Sequence, residues 1–256
     1  MKIKNIKHFI FLVVFFMSYQ AKAFDFHSID WIDTSLGFAL NPRTNIRPSG
    51  IEVKYAGLLY TKNNPIIEPI PILFFRFANI FINKDGGGMA FAHTPNFKLR
   101  AFIMNDGEGY KTAGMSERKN SFFAGGLLQL YFIQFKYMRD IENISSGQNF
   151  RVDLFKEHYW GQLKFEPHFG IQYWSKDYVN YYYGVKTNEV VANRPFYNPN
   201  GTVNYTVELR FIKTSGNTKY LLIPMYKNYG KEVARSPVVE RDEEFRLTFG
   251  VLWKLF

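Results

Sequence analysis

The sequence predicts an all-β protein: a closed antiparallel transmembrane β-barrel of about twelve strands, with short periplasmic turns and longer extracellular loops. Three observations carry that expectation. The first is the closing stretch, residues 245–256. Phe245, Leu247, Phe249, Val251, Trp253 and Leu255 alternate there with Arg246, Thr248, Gly250, Leu252 and Lys254. A period of two over that length is a strand with one apolar and one mainly polar face. Strict alternation puts Phe256 on the Lys254 side, so either the strand bulges near its end or Phe256 lies one residue beyond the usual register. The second observation is the N-terminus. Lys2, Lys4 and Lys7 precede a short apolar run, residues 9–17, and Ala21-Lys22-Ala23 reads as a small-x-small cleavage site. Residues 1–23 are therefore expected to be a signal peptide, and residues 24–256 a single barrel domain. No later stretch resembles a membrane-spanning helix; residues 70–77, the most apolar, are interrupted by Pro71 and Arg76. A membrane chain without spanning helices must close its strands into a barrel, because backbone groups in lipid need partners. A soluble periplasmic β-protein is the alternative. The third observation is composition: 19% aromatic residues, with 27 Phe and 17 Tyr, is heavy for a soluble domain and natural for aromatic girdles.

Taken in order, the elements fit this plan. In the first candidate strand, Ile32, Thr34, Leu36, Phe38 and Leu40 oppose Asp33, Ser35, Gly37, Ala39 and Asn41. Residues 51–60, 68–77 and 80–92 alternate less cleanly. Phe97, Leu99, Ala101 and Ile103 oppose Lys98, Arg100 and Phe102. Residues 122–130 and 132–140 form a candidate hairpin. Phe150, Val152 and Leu154 oppose Arg151 and Asp153; Leu163, Phe165, Phe169, Ile171 and Tyr173 oppose Lys164, Glu166, His168 and Gln172. Tyr205, Val207, Leu209 and Phe211 oppose Thr206, Glu208 and Arg210, and residues 218–228 precede the closing strand. Expected short turns are 61–67, 93–95, 131, 159–160 and 214–217. Expected long loops are 42–49, 105–120, 141–148, 175–203 and 229–243. The link at 78–79 breaks this alternation of short and long. The polar faces place Lys98, Arg100, Arg151, Asp153, Lys164, Glu166, His168, Glu208, Arg210 and Arg246 toward one side, a candidate luminal polar network. No period of 20–50 residues recurs, which excludes solenoids and propellers.

The chemistry visible in the sequence is sparse. A formal charge of +10 in an exported chain points to outer-membrane lipid and anionic lipopolysaccharide or murein, with no nucleic-acid partner. The absence of cysteine removes disulfides and thiolate metal sites. His27, His93, His158 and His168 lack metal-ligand spacing, so no metal or cofactor is expected. His168 stands two residues from Glu166 on one face; a luminal hydrogen bond outweighs acid–base work for that pair. Ser121, Ser175 and Ser236 have no histidine beside them in sequence, so no catalytic residue is assigned and the chain is read as a non-enzyme. Gly86-Gly87-Gly88 lacks the Lys-Ser/Thr of a phosphate loop and reads as a kink in a strand. Tyr181-Tyr182-Tyr183 reads as girdle or loop packing before sugar stacking. Asn204-Tyr205-Thr206 matches a glycosylation sequon but lies in a strand. Residues 105–120 and 234–244 are mixed in charge and read as solvated.

The order of several motifs resembles the MipA/OmpV family of outer-membrane proteins. It runs from about residue 68 to 256. It includes Glu68-Pro69-Ile70-Pro71-Ile72-Leu73-Phe74-Phe75-Arg76, the hairpin 122–140 with a phase switch at Tyr131, and Tyr182-Tyr183-Gly184-Val185 followed by Pro195 and Tyr197. Ser236-Pro237-Val238-Val239 stands ahead of the closing strand. The resemblance implies an outer-membrane barrel and, for the family's namesake, a scaffold joining a lytic transglycosylase to a bifunctional murein synthase. It carries no catalytic residues. Residues 42–64 are longer than the family's usual front end, and the chain is poorer in glycine and richer in Lys and Phe. A channel for small solutes and, behind it, a lipid-modifying enzyme are the other readings.

Overall fold

The computed structural model describes residues 32–43, 47, 52–55, 58–60, 66–83, 86–94, 96–107 and 109–255. The expected signal peptide, His27 and the terminal Phe256 lie outside them. In chain order the strands are β1 (Ile32–Arg43), β2 (Glu52–Tyr55), β3 (Leu58–Tyr60), β4 (Ile66–Phe77), β5 (Ile80–Asn83), β6 (Gly86–His93), β7 (Phe97–Asp106) and β8 (Tyr110–Lys111). They continue as β9 (Ser121–Leu130), β10 (Ile133–Asp140), β11 (Gln148–Phe155), β12 (His158–Trp160), β13 (Leu163–Trp174), β14 (Thr202–Ser215), β15 (Thr218–Asn228) and β16 (Glu243–Lys254). Two helices, α1 (Lys176–Tyr183) and α2 (Lys231–Ala234), lie between strands.

The main sheet runs β11-β10-β9-β7-β6-β5-β4-β1-β16-β15-β14-β13-β12, and β11 also pairs with β13. β12 continues β11 in the same register against β13, so the two form one strand. The break between them faces Pro167, which has no N–H to give the ladder. The result is a ring of 12 antiparallel strand positions, closed where β1 pairs with β16. That closure fixes the closing strand: Ser35 faces Lys254 and Leu40 faces Phe249, with no register shift between.

The ring has the expected number of strands through two compensating corrections. The described residues of 51–60 form no wall strand: β2 pairs with β3 on one side and β8 on the other, in a separate three-stranded sheet. Residues 80–92 are not one strand but two, β5 and β6, paired as a hairpin from Ile80–Met89 to Asn83–Gly86. Alternation identifies extended backbone but not its neighbour, which is why both errors arose. The link at 78–79 then becomes a regular short turn; of the expected turn 61–67, Ile66 and Ile67 belong to β4 and the rest lies outside the described residues. Tyr159 and Trp160 lie in β12, so the turn there is Gly161–Gln162.

Four two-residue hairpins define the short-turn end. Each has positive φ at its first residue only: Ala78 (φ 50), Tyr131 (φ 52), Gly161 (φ 57) and Gly216 (φ 56). That is the type II′ pattern, whose twist matches paired strands and which favours glycine first. Ala78 holds the left-handed conformation against its Cβ. Ala78→Gly is therefore expected to stabilise the barrel by about 1 kcal/mol. Urea midpoints of the refolded protein in detergent measure this; an unchanged or lower midpoint refutes it.

The burial pattern is inverted relative to a soluble protein. Along β14, Thr202, Asn204 and Thr206 are buried while Val203, Tyr205 and Val207 are exposed. Phe38, Phe169, Ile171, Leu222 and Phe249 are likewise exposed, and Gln129, Asn149, Asp153 and Glu166 buried. Apolar side chains facing outward around a polar interior suit a wall bathed in lipid. Among the described residues no helix is long and apolar enough to cross a membrane. The glycine run sits in β6 against β7, where a Cβ on Gly88 would collide with the Ala101 carbonyl. A bulge follows between Ala90 and Ala92. In β4, residues 66–73 have a described neighbour only in β1. Pairing parity from the Phe77–Ile80 turn directs the backbone nitrogens of Pro69 and Pro71 away from β1, onto the edge that meets no described strand.

Candidate functional site: the covered mouth and the charged lumen

The long loops cover one end of the ring. Ser175 caps α1, accepting from the Tyr178 amide at 3.4 Å, and Asp177 occupies the first turn. Tyr178, Val179, Tyr182 and Tyr183 then recur at helical spacing and are all buried. They pack on Phe123, Met138 and Trp174, whose strand neighbours Phe122, Tyr137 and Tyr173 face outward. The helix therefore seats on the inner wall of the barrel, inside its rim. Tyr229 and Val233 of the β15–β16 connection complete this cluster. The rings of Trp174 and Tyr178 lie 4.9 Å apart, and those of Tyr178 and Tyr182 4.8 Å apart. Tyr182 donates its hydroxyl to the Lys119 carbonyl at 3.0 Å, directly over Gly107, where a Cβ would strike that hydroxyl. Gly107 is also left-handed (φ 97), so the position favours glycine twice over.

A buried ion pair fastens the same loops. Arg118 and Glu189 are 1% and 2% exposed and meet at 2.8 Å, in a bidentate contact. Glu189 also accepts from the Ser116 amide and hydroxyl at 3.0 and 2.6 Å and from the Lys186 amide at 3.0 Å. Burial pushes the Glu189 carboxyl up. The bonds from Arg118, Ser116 and Lys186 more than reverse this and hold it well below the usual carboxylate range. Arg194 bonds the Glu189, Ala113 and Gly114 carbonyls, tying the two loops together again. Arg47 lies 3.8 Å above the Tyr110 ring, and Tyr110, Val185 and Val238 form a second small core. Residues 105–120 and 234–244 are thus not simply solvated, as their mixed charge suggested. Arg118, Tyr110, Ser236, Val238 and Glu244 are buried because the loops pack on one another.

Below this cover the inward faces carry charge. Glu166 is the hub of one wall: Lys164 Nζ lies 2.5 Å from it, Arg210 Nη1 3.0 Å, and His168 Nε2 is bonded to it. Arg210 also pairs with Glu208, and Lys164 with Glu157 at 2.8 Å. Arg151 and Asp153 pair at 2.6 Å over Gly170, which has no Cβ to lift them off β13. Arg246 pairs with Glu244 at 2.6 Å, and Glu244 accepts from Tyr229 at 2.6 Å, linking the lumen to the cover. On the other side, Arg100 donates to His93 Nδ1 at 3.0 Å and faces the Phe81 ring at 5.5 Å, beside Lys98.

All ten residues singled out in the sequence lie on inward-facing strand positions. Eight of them join carboxylate-centred groups on β11 to β16; Lys98 and Arg100 stand apart on β7. The three serines have structural partners: Ser121 bonds Asp140 at 2.5 Å, Ser175 caps α1, and Ser236 bonds the Tyr183 carbonyl at 2.6 Å. Among the described residues none of these hydroxyls bonds a histidine, and no cluster of three or more His, Asp or Glu is placed to hold a metal. Sequence reading missed α1, although Ser175 with the 178, 179, 182, 183 spacing marks it. It also missed the Arg118–Glu189 pair, whose partners sit in different loops.

Residues 50–255 match the family model described as MltA-interacting protein MipA. The outer membrane protein OmpV of Vibrio cholerae is 26% identical over 66% of this chain and 72% of its own. The MltA-interacting protein of Escherichia coli (strain K12) is 24% identical over 73% of this chain and 82% of its own. Among solved structures, a Pseudomonas aeruginosa FadL homologue is similar over 89% of this chain and 91% of its own, with 9% identity and a TM-score of 0.45.

Proposed function

The chain belongs to the MltA-interacting protein MipA family of outer-membrane proteins, and we propose that it is a non-enzymatic scaffold joining a lytic transglycosylase to a murein synthase. The observation that carries this reading is the covered mouth. A helix seated inside the rim, with a buried aromatic cluster and a buried ion pair beneath the loops, favours a barrel that holds a shape over one that passes solutes. The ion-paired residues Lys164, Glu166, His168, Glu208, Arg210, Arg151, Asp153 and Arg246 then brace the lumen instead of performing chemistry. The name of the Escherichia coli relative supports the transglycosylase as one partner. Contacts made by short turns are small, and small transient interfaces suit enzymes that come and go.

The test is retrieval from detergent-solubilised membranes with an affinity tag on the folded barrel. Co-purification of a lytic transglycosylase and a murein synthase is the expected result. Their absence, with the barrel folded, rejects the scaffold. Planar-bilayer recording addresses the channel reading in parallel: the scaffold reading expects no steady current, and solute-dependent conductance overturns it.

A further inference from the structure

The luminal charges are not balanced evenly around the ring. On the wall from β11 to β16, Arg151, Lys164, Arg210 and Arg246 each meet a carboxylate. On the wall from β4 to β7 stand Arg76, His93, Lys98 and Arg100, and none of them forms an ion pair with a described residue. His93 and Lys98 are paired across β6 and β7, at the short-turn end. Arg100 adds a third group through its bond to His93. Asp33 stands opposite Arg76 in register, so the core of the patch is His93, Lys98 and Arg100.

The geometry of the three converges on one kind of ligand. A guanidinium only donates, so His93 Nδ1 must accept from Arg100, and a neutral ring then carries its proton on Nε2. Arg100 Nε is buried and has no hydrogen-bond partner. Lys98 contributes a point charge beside them and His93 is exposed. Cations of like sign in a low-dielectric wall repel and focus their field into the lumen. We propose that His93, Lys98 and Arg100 form a binding site for a small oxyanion, a carboxylate or a phosphate, entering the lumen from the short-turn side. The lysine supplies attraction, the arginine directional donors, and the histidine a neutral N–H. The opposite wall does not compete: Arg151, Lys164, Arg210 and Arg246 are already held by Glu157, Glu166, Glu208, Asp153 and Glu244, and Lys227 lies over the Trp174 and Tyr229 rings. The site is independent of the scaffold reading.

Titration calorimetry on the full refolded barrel in a zwitterionic detergent tests this, with sodium phosphate or sodium acetate added at constant ionic strength set by sodium chloride. Saturable binding of at least one anion is expected; preference for phosphate indicates a phosphorylated solute, and preference for acetate a carboxylated one. Lys98→Gln and Arg100→Gln are each expected to weaken binding on the order of tenfold, the scale of a hydrogen bond to a charged group. Arg151→Gln removes the same unit of charge from the paired wall and is expected to leave binding within about twofold of the parent, far from that hydrogen-bond scale. Circular dichroism and heat-shifted gel mobility establish that each variant is folded. No saturable binding of either anion, or equal weakening by Lys98→Gln and Arg151→Gln, overturns the proposal.

Discussion

Arg118→Ala is expected to release the loops from the barrel mouth while the strands stay paired. The substitution leaves Glu189 buried, 2% exposed, with its main counter-charge gone. Breaking a buried pair from one side costs about 3–5 kcal/mol, because the remaining charge has lost its compensation. The ring itself does not depend on that pair, so the loss is local. Limited proteolysis should cut within residues 107–120 and 175–201 of the variant under conditions that spare the parent. Equal resistance in both proteins would show that the pair does not fasten the cover. Acid should act on the same contact. The folded-state pKa of Glu189 is depressed, so its contribution is fully present above the unfolded value, about 4.3, and is lost as pH falls toward the folded value. Protease resistance of the loops should be flat from pH 8 to about 5 and fall below pH 4, and the fall should vanish in Glu189→Gln.

Tyr182→Ala is expected to do comparable damage by a different route. The ring is fully buried among Tyr178, Tyr181 and the rest of the α1 cluster, and its hydroxyl is bonded. Removing a large buried ring costs about 3–5 kcal/mol. Tyr182→Phe keeps the ring and loses only the bond to the Lys119 carbonyl, for about 1 kcal/mol. The near-ultraviolet circular dichroism of the aromatic cluster should collapse in the first variant and persist in the second. The far-ultraviolet strand signal should survive in both. Two indistinguishable spectra would mean that the ring does not hold α1 in place.

The wall of this protein was legible because period two is a local signal. In β14, every second residue from Val203 to Leu209 is apolar, and the structure turns that face outward. The same locality explains the errors. Residues 51–60 look extended, and β2 and β3 within them are, but β2 takes as partner the two-residue strand β8, which no pattern announces. That Lys164, Glu166 and His168 share a face followed from alternation; which of the charged residues meet across strands, as Arg210 meets Glu166, did not. The cover did not follow. Arg118 and Glu189 are brought together by loops whose course depends on tertiary packing, and a mixed-charge loop reads the same whether solvated or folded. The helix α1 was hidden by its tyrosines, which are as much at home in a girdle as in a core.

The prolines on the margin of β4 that meets no described strand bear on how this barrel lives in a crowded membrane. A strand margin with spare donors and acceptors is an invitation for another chain to add itself, and in lipid that invitation is strong. At Pro69 and Pro71 the margin has carbonyls but no donors. An incoming strand would find its own acceptors stranded at those two positions and would gain little by staying. The two imino acids thus give a strand from a neighbouring copy few donors to pair with along this margin.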